Sequence, residues 1–369
     1  GCEVIKIEQP SGDIARAAKP RSGDVSALFA GNNRNKKSVA LDLSTDDGKR
    51  TVTSLISKCD VLLHNLREKA ALKLGVDFES AKAANPDIIY CATTGFGSAG
   101  RYAGRPALDD IVQAASGIAS IAASGEGPAY VPTNLADKVA GLHAVYAILA
   151  ALLARSNGRT GAVNIEVPMF EVVTSFLLNE HLGAAAFAKD GKPGYPRILE
   201  FDRRPYRTKD GWIAVIPYTG AQWRRFLEAA GRSDVCATAW FQDAELRQAR
   251  LAELYGILSE TLCSQTTAHW LEILTAADVP CAPVNSLDDV LLDPHLADIG
   301  FFDPPASYPA DFVRVAPQPV RFGGMAQTDD LPPPSLGQHS VEVLRELGFG
   351  DDELDRMQAE GIVHQRKAR

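Results

Sequence analysis

Asp87-Ile88-Ile89-Tyr90-Cys91-Ala92-Thr93-Thr94-Gly95-Phe96-Gly97-Ser98-Ala99-Gly100 is an apolar run that ends on a glycine-rich loop. Asn85-Pro86 bounds it on the other side, so the run reads as a short strand covered by helices. Val4-Ile5-Lys6-Ile7, Ser38–Leu43 and Asp60-Val61-Leu62-Leu63-His64 repeat the pattern upstream. After the second of these, Ser44 is expected to cap a helix running to about Lys58, with Asp46 and Asp47 in its first turn, where carboxylates suit the helix dipole. Strands joined by helical connections imply an α/β class with a parallel sheet.

Downstream, the pattern predicts long helices over 134–156 and 168–187, with a strand at Val163–Val167 between them. Gly191, Pro193, Gly194, Pro196 and Pro205 then mark a boundary. A smaller α+β unit follows, with a strand at 211–217 and helices at 221–230, 248–263 and 268–277. Residues 293–334 are proline-rich and mostly irregular, and short helices close the chain at 341–347 and 351–360. The expected organisation is a large domain over 1–195, a small domain over 196–292, and a linker with C-terminal return over 293–369.

Of the 369 residues, 46% are apolar and 23% charged, which supports large cores and excludes a disordered chain. The net charge of -8, from 38 basic and 46 acidic side chains, argues against nucleic acid or a membrane surface as partner. No stretch reads as the roughly twenty apolar residues of a membrane span. No signal peptide is visible. Cys2, Cys59, Cys91, Cys236, Cys263 and Cys281 form no CxxC pair and have no zinc spacing with the histidines. They fit buried thiols in a reducing, cytoplasmic setting, and no metal site is expected.

Gly95–Gly100 matches GxGxxG, but the third glycine leads into Arg101–Pro106, not into a helix, and no acidic strand end follows at the ribose distance. A nicotinamide cofactor is therefore not expected. Arg34, Lys36, Lys37, Arg67, Lys69, Lys73, Arg101 and Arg105 fall near strand ends or in this loop. Singly each is a solvated cation; together, in an acidic protein, they could hold a phosphorylated ligand. Asp137 opens the apolar helix after Asn134. By spacing it belongs to a capping box, but a carboxylate at a helix N-terminus can also stay ionised and attack an activated acyl group. His143 lies about 240° round the helix from Asp137 and fits packing. No GxSxG elbow occurs, and Cys91 has no evident base beside it.

In GCEVIKIEQPSGD (1–13), NRNKKSVALDL (33–43), DVLLHNLREKAALKLGV (60–76), NPDIIYCATTGFGSAGRYAGRPALDDIVQAASG (85–117) and NLADKVAGLHAVYAILAALLAR (134–155), the sequence resembles the class III CoA-transferase family. That family includes formyl-CoA transferase, carnitine CoA-transferase and the related α-methylacyl-CoA racemases. RRPYRTKDGWIAV (203–215), CAPVNSLDDVLLDPHL (281–296) and PSLGQHSVEVLRELG (334–348) extend the likeness over nearly the whole chain, in order. The resemblance implies a Rossmann-like large domain, an interlocked homodimer, and coenzyme A or acyl-CoA as substrate with no permanently bound cofactor. It places the family's catalytic aspartate at Asp137 and its CoA contacts at Leu41, Asn65, Leu66, Arg67, Lys73 and the stretch from Arg105 to Asp109. The implied chemistry is CoA transfer to a carboxylic acid through an aspartyl anhydride and an aspartyl-CoA thioester. Apart from the resemblance, the loop amides at Gly95 and Gly97 are candidate oxyanion donors.

The chain departs from the family in four places. Its opening strand–helix unit is not in the sequence, which begins at Gly1 just before the first strand. Gln9 stands at a CoA-contacting position where formyl-CoA transferase has arginine, and Leu66 where phenylalanine is usual. No glycine-rich loop occurs at 198–204. Leu108 replaces the histidine of the racemases; it cannot titrate, whereas racemisation needs two acid–base groups on opposite faces. Transfer is the expected activity, with 2-methylacyl-CoA racemisation and a non-catalytic CoA-binding homologue as alternatives. Tyr206, Trp212, Tyr218 and Trp223 are candidates for an acyl pocket or for the small-domain core.

Overall fold

A computed structural model of the chain describes residues 2–23, 25–122, 127–199, 203–324 and 330–366. The chain forms two compact units, one from residues 1–177 with 297–369 and one from 178–296. The first break falls inside a helix, upstream of the glycine- and proline-rich stretch that marked it at 195 in sequence. Those breakers interrupt secondary structure but stay within the second unit.

The first unit carries the strands β1 (Val4–Glu8), β2 (Lys36–Leu41), β3 (Val61–His64), β4 (Ile89–Thr94), β5 (Val163–Pro168) and β6 (Val363–His364). They form two sheets where the sequence suggested one. In the first, β2 is central, parallel to β1 with Glu8 opposite Ala40 and antiparallel to β6 with Leu41 opposite Val363. In the second, β4 lies between β3 and β5, all parallel, with Ala92 opposite both His64 and Glu166. The antiparallel β6 and the short ribbon of Arg21–Ser22 with Val25–Ser26 carried too few residues to show a strand pattern.

The helices that position the site are α1 (Asp46–Ile56), α2 (Asp109–Ser116), α3 (Leu135–Ser156) and α4 (Met169–His181). Thr45, not Ser44, caps α1: its hydroxyl accepts from the Gly48 amide at 3.0 Å, while Ser44 turns back to Asp42. From α1, Val52 and Ile56 pack with Ile88 and Tyr90 beneath the second sheet. The C-terminal segment returns to the first sheet, where Val343, Leu344, Leu354 and Met357 close over Val39 and Leu41. The Ser340 hydroxyl fixes that return, accepting from the Ala40 amide at 3.0 Å and donating to the His364 carbonyl at 2.7 Å.

At its carboxyl end, β1 is anchored by a buried ion pair. The Arg16 guanidinium grips both oxygens of Glu8 at 2.7 and 2.8 Å, stacks 3.7 Å from the Phe29 ring centre, and donates to the Pro334 carbonyl. Ser38 donates to the same carboxylate at 2.7 Å. Burial pushes the Glu8 carboxyl up, but the hydrogen bonds from Arg16 and Ser38 and the guanidinium charge outweigh it and hold it below its ordinary value.

α3 corrects one expectation. It spans 22 residues and is long and apolar enough, by length and composition, to cross a membrane. Ala136, Val139, Ala140 and Ala144 are buried against the unit, whereas Leu142, Val145, Tyr146, Leu149 and Leu153 are exposed.

The second unit is built on an antiparallel sheet of Tyr206–Arg207, Trp212–Val215 and Cys281–Pro283, packed by helices that include Gly220–Ala229, Leu251–Leu262 and Thr267–Ala276. Its core gathers Tyr206, Trp223, Phe226, Phe241, Tyr255 and Trp270. Tyr206 and Trp223 are thus core residues. Trp212 and Tyr218 are exposed, with the guanidinium groups of Arg207 and Arg197 over their rings. Of the stretch 198–204, residues 200–202 lie outside the described residues.

Candidate active site

Because β3, β4 and β5 are parallel and in register, their carboxyl ends share one edge. This brings the turn at 64–67, the loop at 95–100 and the start of α4 together. His64 shapes the first of these. Its Nδ1 accepts from the Leu66 amide at 3.0 Å and its Nε2 meets the Tyr90 hydroxyl at 2.6 Å. Burial holds His64 below its usual pKa, so it acts here as a neutral, hydrogen-bonding ring.

The glycine loop is packed tightly on both sides. A Cβ on Gly95 would lie 2.4 Å from the Ala107 Cβ, and one on Gly97 would lie 2.8 Å from a Glu171 oxygen. The Gly95 carbonyl accepts from the Phe170 amide at 3.0 Å. The Gly97 amide donates to Glu171 at 3.0 Å, and Ser98 is held by Glu166 through its amide at 2.5 Å and its hydroxyl at 3.0 Å. This corrects the oxyanion expectation for Gly97, because its amide already serves a carboxylate of α4. Phe96 and Phe170 each pack edge-on against Tyr102 beside the loop, and the Arg105 guanidinium lies 4.5 Å from the Tyr102 ring centre.

Asp137 is the third residue of α3, in its first turn, and the capping box expected with Asn134 is not made: Asn134 has no side-chain cap hydrogen bond. The cap comes instead from α2. One Asp109 oxygen accepts from the Ala136 amide at 2.6 Å and from the Asp137 amide at 3.2 Å. Asp109 is buried, so its family-implied place among the CoA contacts gives way to a structural one in this arrangement. Partial burial, and then the neighbouring Asp109 charge, raise the Asp137 carboxyl above its ordinary value. Both effects oppose the expected helix-dipole stabilisation of the anion, and the Ala136 and Asp137 amides at this helix start serve Asp109. The Asp137 side chain is exposed and, among the described residues, makes no hydrogen bond or ion pair.

The eight basic residues divide into two groups. Arg34 pairs with Asp330 at 2.7 Å, Lys36 bonds Asn33, and Lys37 pairs with Glu3 and Glu342, each at 3.0 Å. Arg67, Lys69, Lys73, Arg101 and Arg105 are exposed and, among the described residues, have no acidic partner. Asn65 is exposed beside them, and Leu66 packs partly into the core under the second sheet. Leu41 belongs to the other sheet, and Gln9 directly follows that sheet's first strand. The Gln9 amide bonds the Gly12 carbonyl at 3.1 Å, and Leu41 is buried under the C-terminal helices, which leaves only its backbone to meet a ligand. Cys91 is buried and its thiol is pushed up to about 11 by burial, which suits a structural thiol. His143 bonds the Val139 carbonyl of its own helix at 2.8 Å. Among the described residues no group of three His, Cys, Asp or Glu side chains could hold a metal.

Sequence reading missed the roles of Asp109, Gln113, Glu166 and Glu171. Only the four-residue spacing of Asp109 and Gln113, which puts them on one helix face, offered a signal.

The model of CoA-transferase family III matches residues 1–340. The chain belongs to CoA-transferase family III. Among curated relatives, the transferase is 30% identical over 359 residues to the probable fatty acyl-CoA transferase Rv3272 of Mycobacterium tuberculosis, covering 93% of this chain and 91% of that protein. It is 28% identical to the succinyl-CoA:glutarate CoA-transferase of Mus musculus, over 100% of this chain and 86% of the mouse protein. The crystal structure of a CAIB/BAIF family protein from Brucella suis superposes with a TM-score of 0.78 at 28% identity, over 94% of this chain and 92% of the other.

Proposed function

We propose that this transferase moves CoA from an acyl-CoA donor to a free carboxylic acid, with Asp137 as the covalent carrier. The Asp137 carboxylate attacks the donor thioester carbonyl, the C–S bond breaks, and a mixed anhydride forms as CoA thiolate departs. The thiolate then attacks the Asp137 carbonyl, releasing the donor acid and leaving an aspartyl-CoA thioester. The acceptor carboxylate attacks that thioester, giving a second anhydride and free thiolate. Attack of the thiolate on the acceptor acyl carbon yields the new acyl-CoA and restores Asp137. Each intermediate stays as activated as the thioester, so the acyl group remains reactive throughout.

One observation carries this reading. Asp137 is an exposed, unpaired carboxylate whose affinity for protons is raised by partial burial and by Asp109. A more basic carboxylate is a better nucleophile. The unpaired cations Arg67, Lys69, Lys73 and Arg105 suit the phosphates of CoA. Leu108, 77% exposed one residue before Asp109, offers no second acid–base group, which favours transfer over racemisation. The homodimer is part of the same proposal: a second copy covers the exposed apolar face of α3.

Replacing Asp137 with Ala should leave a folded protein that binds CoA and transfers nothing. Hydroxylamine added with acyl-CoA should convert Asp137 of the unmodified protein to a hydroxamate visible by mass spectrometry. Full transfer activity in the alanine variant would sink the covalent mechanism.

A further inference from the structure

We infer that Gln113 is the positioning residue for the nucleophile, an inference that rests on the transferase reading above. Gln113 is fully buried and every hydrogen-bonding group of its side chain is engaged. Its Nε2 donates to Asp109 Oδ2 at 2.7 Å and faces the Val131 and Thr133 carbonyls at 3.3 and 3.2 Å. Its Oε1 accepts from the Val131 amide at 2.9 Å. One side chain thus ties together the residue that caps α3 and the bend that leads into α3.

The consequence for Asp137 follows from what Asp109 does. With Oδ2 fixed by Gln113, Asp109 presents Oδ1 to the Ala136 and Asp137 amides, the only side-chain cap made at this end of α3 among the described residues. The backbone of the nucleophile is therefore set by a two-link chain, Gln113 to Asp109 to Asp137. Gln113 itself touches neither substrate nor reacting atoms. Without it, Asp109 is free to rotate, the lead at 131–133 loosens, and Asp137 presents a spread of positions to the thioester. The CoA-facing cations are on other segments, so binding of the nucleotide portion should survive. Loss of about 1 Å in placement of a reacting group can cost on the order of 100-fold in rate.

Two variants test this in the full-length protein, with transfer from an acyl-CoA to a carboxylic acid as the assay. Gln113→Leu keeps the volume and removes every hydrogen bond; kcat should fall roughly 10- to 100-fold while KM for acyl-CoA stays within about threefold. Gln113→Glu guards against a leucine variant that does not fold. Its carboxylate would face Asp109 across the 2.7 Å now occupied by a hydrogen bond. When protonated it can donate to Asp109 in place of Nε2, and two carboxylates so close hold one proton far more tightly than either alone. Its kcat relative to the unmodified protein should therefore be highest at the acid end of the range and fall as pH rises. Unchanged kcat in both variants, or equal loss of CoA affinity and kcat, would overturn the inference. Failure of the transferase reading itself would show separately, as absence of transfer by the unmodified protein.

Discussion

The contact between the glycine loop and the lead into α2 allows a size-swap experiment. Replacing Gly95 with Ala places a Cβ 2.4 Å from the Ala107 Cβ and 3.3 Å from the Ala107 Cα and N. Carbon atoms pack at about 3.5–4.0 Å, so the two segments must separate by about 1–1.5 Å. Gly95 is not among the residues with positive φ, so the backbone tolerates alanine and the penalty is one of overpacking, about 1–3 kcal/mol. Ala107 precedes Asp109 by two residues. The same displacement therefore disturbs the cap on the Asp137 helix, and the transfer rate should drop by about ten- to a hundredfold. Ala107→Gly removes the opposing carbon. Alone it should cost about 0.5–1 kcal/mol and little activity; combined with Gly95→Ala it should restore most of both losses. Urea denaturation gives the stabilities, and initial rates of CoA transfer give the activities. The reasoning fails if Gly95→Ala matches the unmodified protein in both, or if the double variant is no better than Gly95→Ala alone.

Arg16→Met should destabilise the first unit by about 3–5 kcal/mol at pH 7, because it leaves Glu8 buried and charged with no guanidinium partner. The folded-state pKa of Glu8 is lowered, so its stabilising contribution is present above the unfolded pKa and lost as pH falls through the folded one; denaturation near pH 4 should show a smaller penalty, and an equal penalty at both pH values would refute the assignment. Asp137 behaves with the opposite sign: its raised pKa favours the folded state at low pH and disfavours it as pH rises through the folded value. Asp137→Asn should therefore be slightly more stable than the unmodified protein at pH 7 but not at pH 3, and the acid limb of the transfer rate should lie above the roughly 3.9 of a free aspartate side chain; an acid limb at or below that value would count against it.

What the sequence made legible was periodic. The apolar runs at Val61–His64 and Ile89–Thr94 gave strands, and the 3.6-residue pattern gave α3 and α4 to within a few residues at their starts. α4 ends at His181 and a short 3-10 turn carries the chain to Ala186, so the helix predicted to 187 is really two elements. The division of the strands into two sheets was not legible, because strand propensity says nothing of which strand pairs with which. Nor was β6, two residues long and held by Ser340 and by the main chain of β2. The basic residues needed the structure for a different reason: only contacts with Asp330, Glu3 and Glu342, up to about 300 residues away in sequence, tell consumed cations from available ones.

The same limit explains Asp137. Local spacing offered Asn134 as its partner and a helix dipole as its source of acidity, and both inferences used principles that hold for an isolated helix. In the folded chain the dipole's donors are claimed by Asp109, 28 residues away in sequence, at 2.6 and 3.2 Å. A carboxylate brought in from another helix does two things that a local cap cannot. It satisfies the amides without using the Asp137 side chain, which is left exposed, and it sets a second negative charge beside that side chain. A capping aspartate would be held by its own helix and made more acidic. One displaced from that role is unengaged and more basic, the condition a carboxylate needs in order to attack a thioester. On the proposed mechanism, the long-range cap is what suits a residue type common at helix starts to act as a nucleophile, and Gln113, fixing Asp109 from the other side, makes that exchange depend on a hydrogen bond between residues four apart on α2.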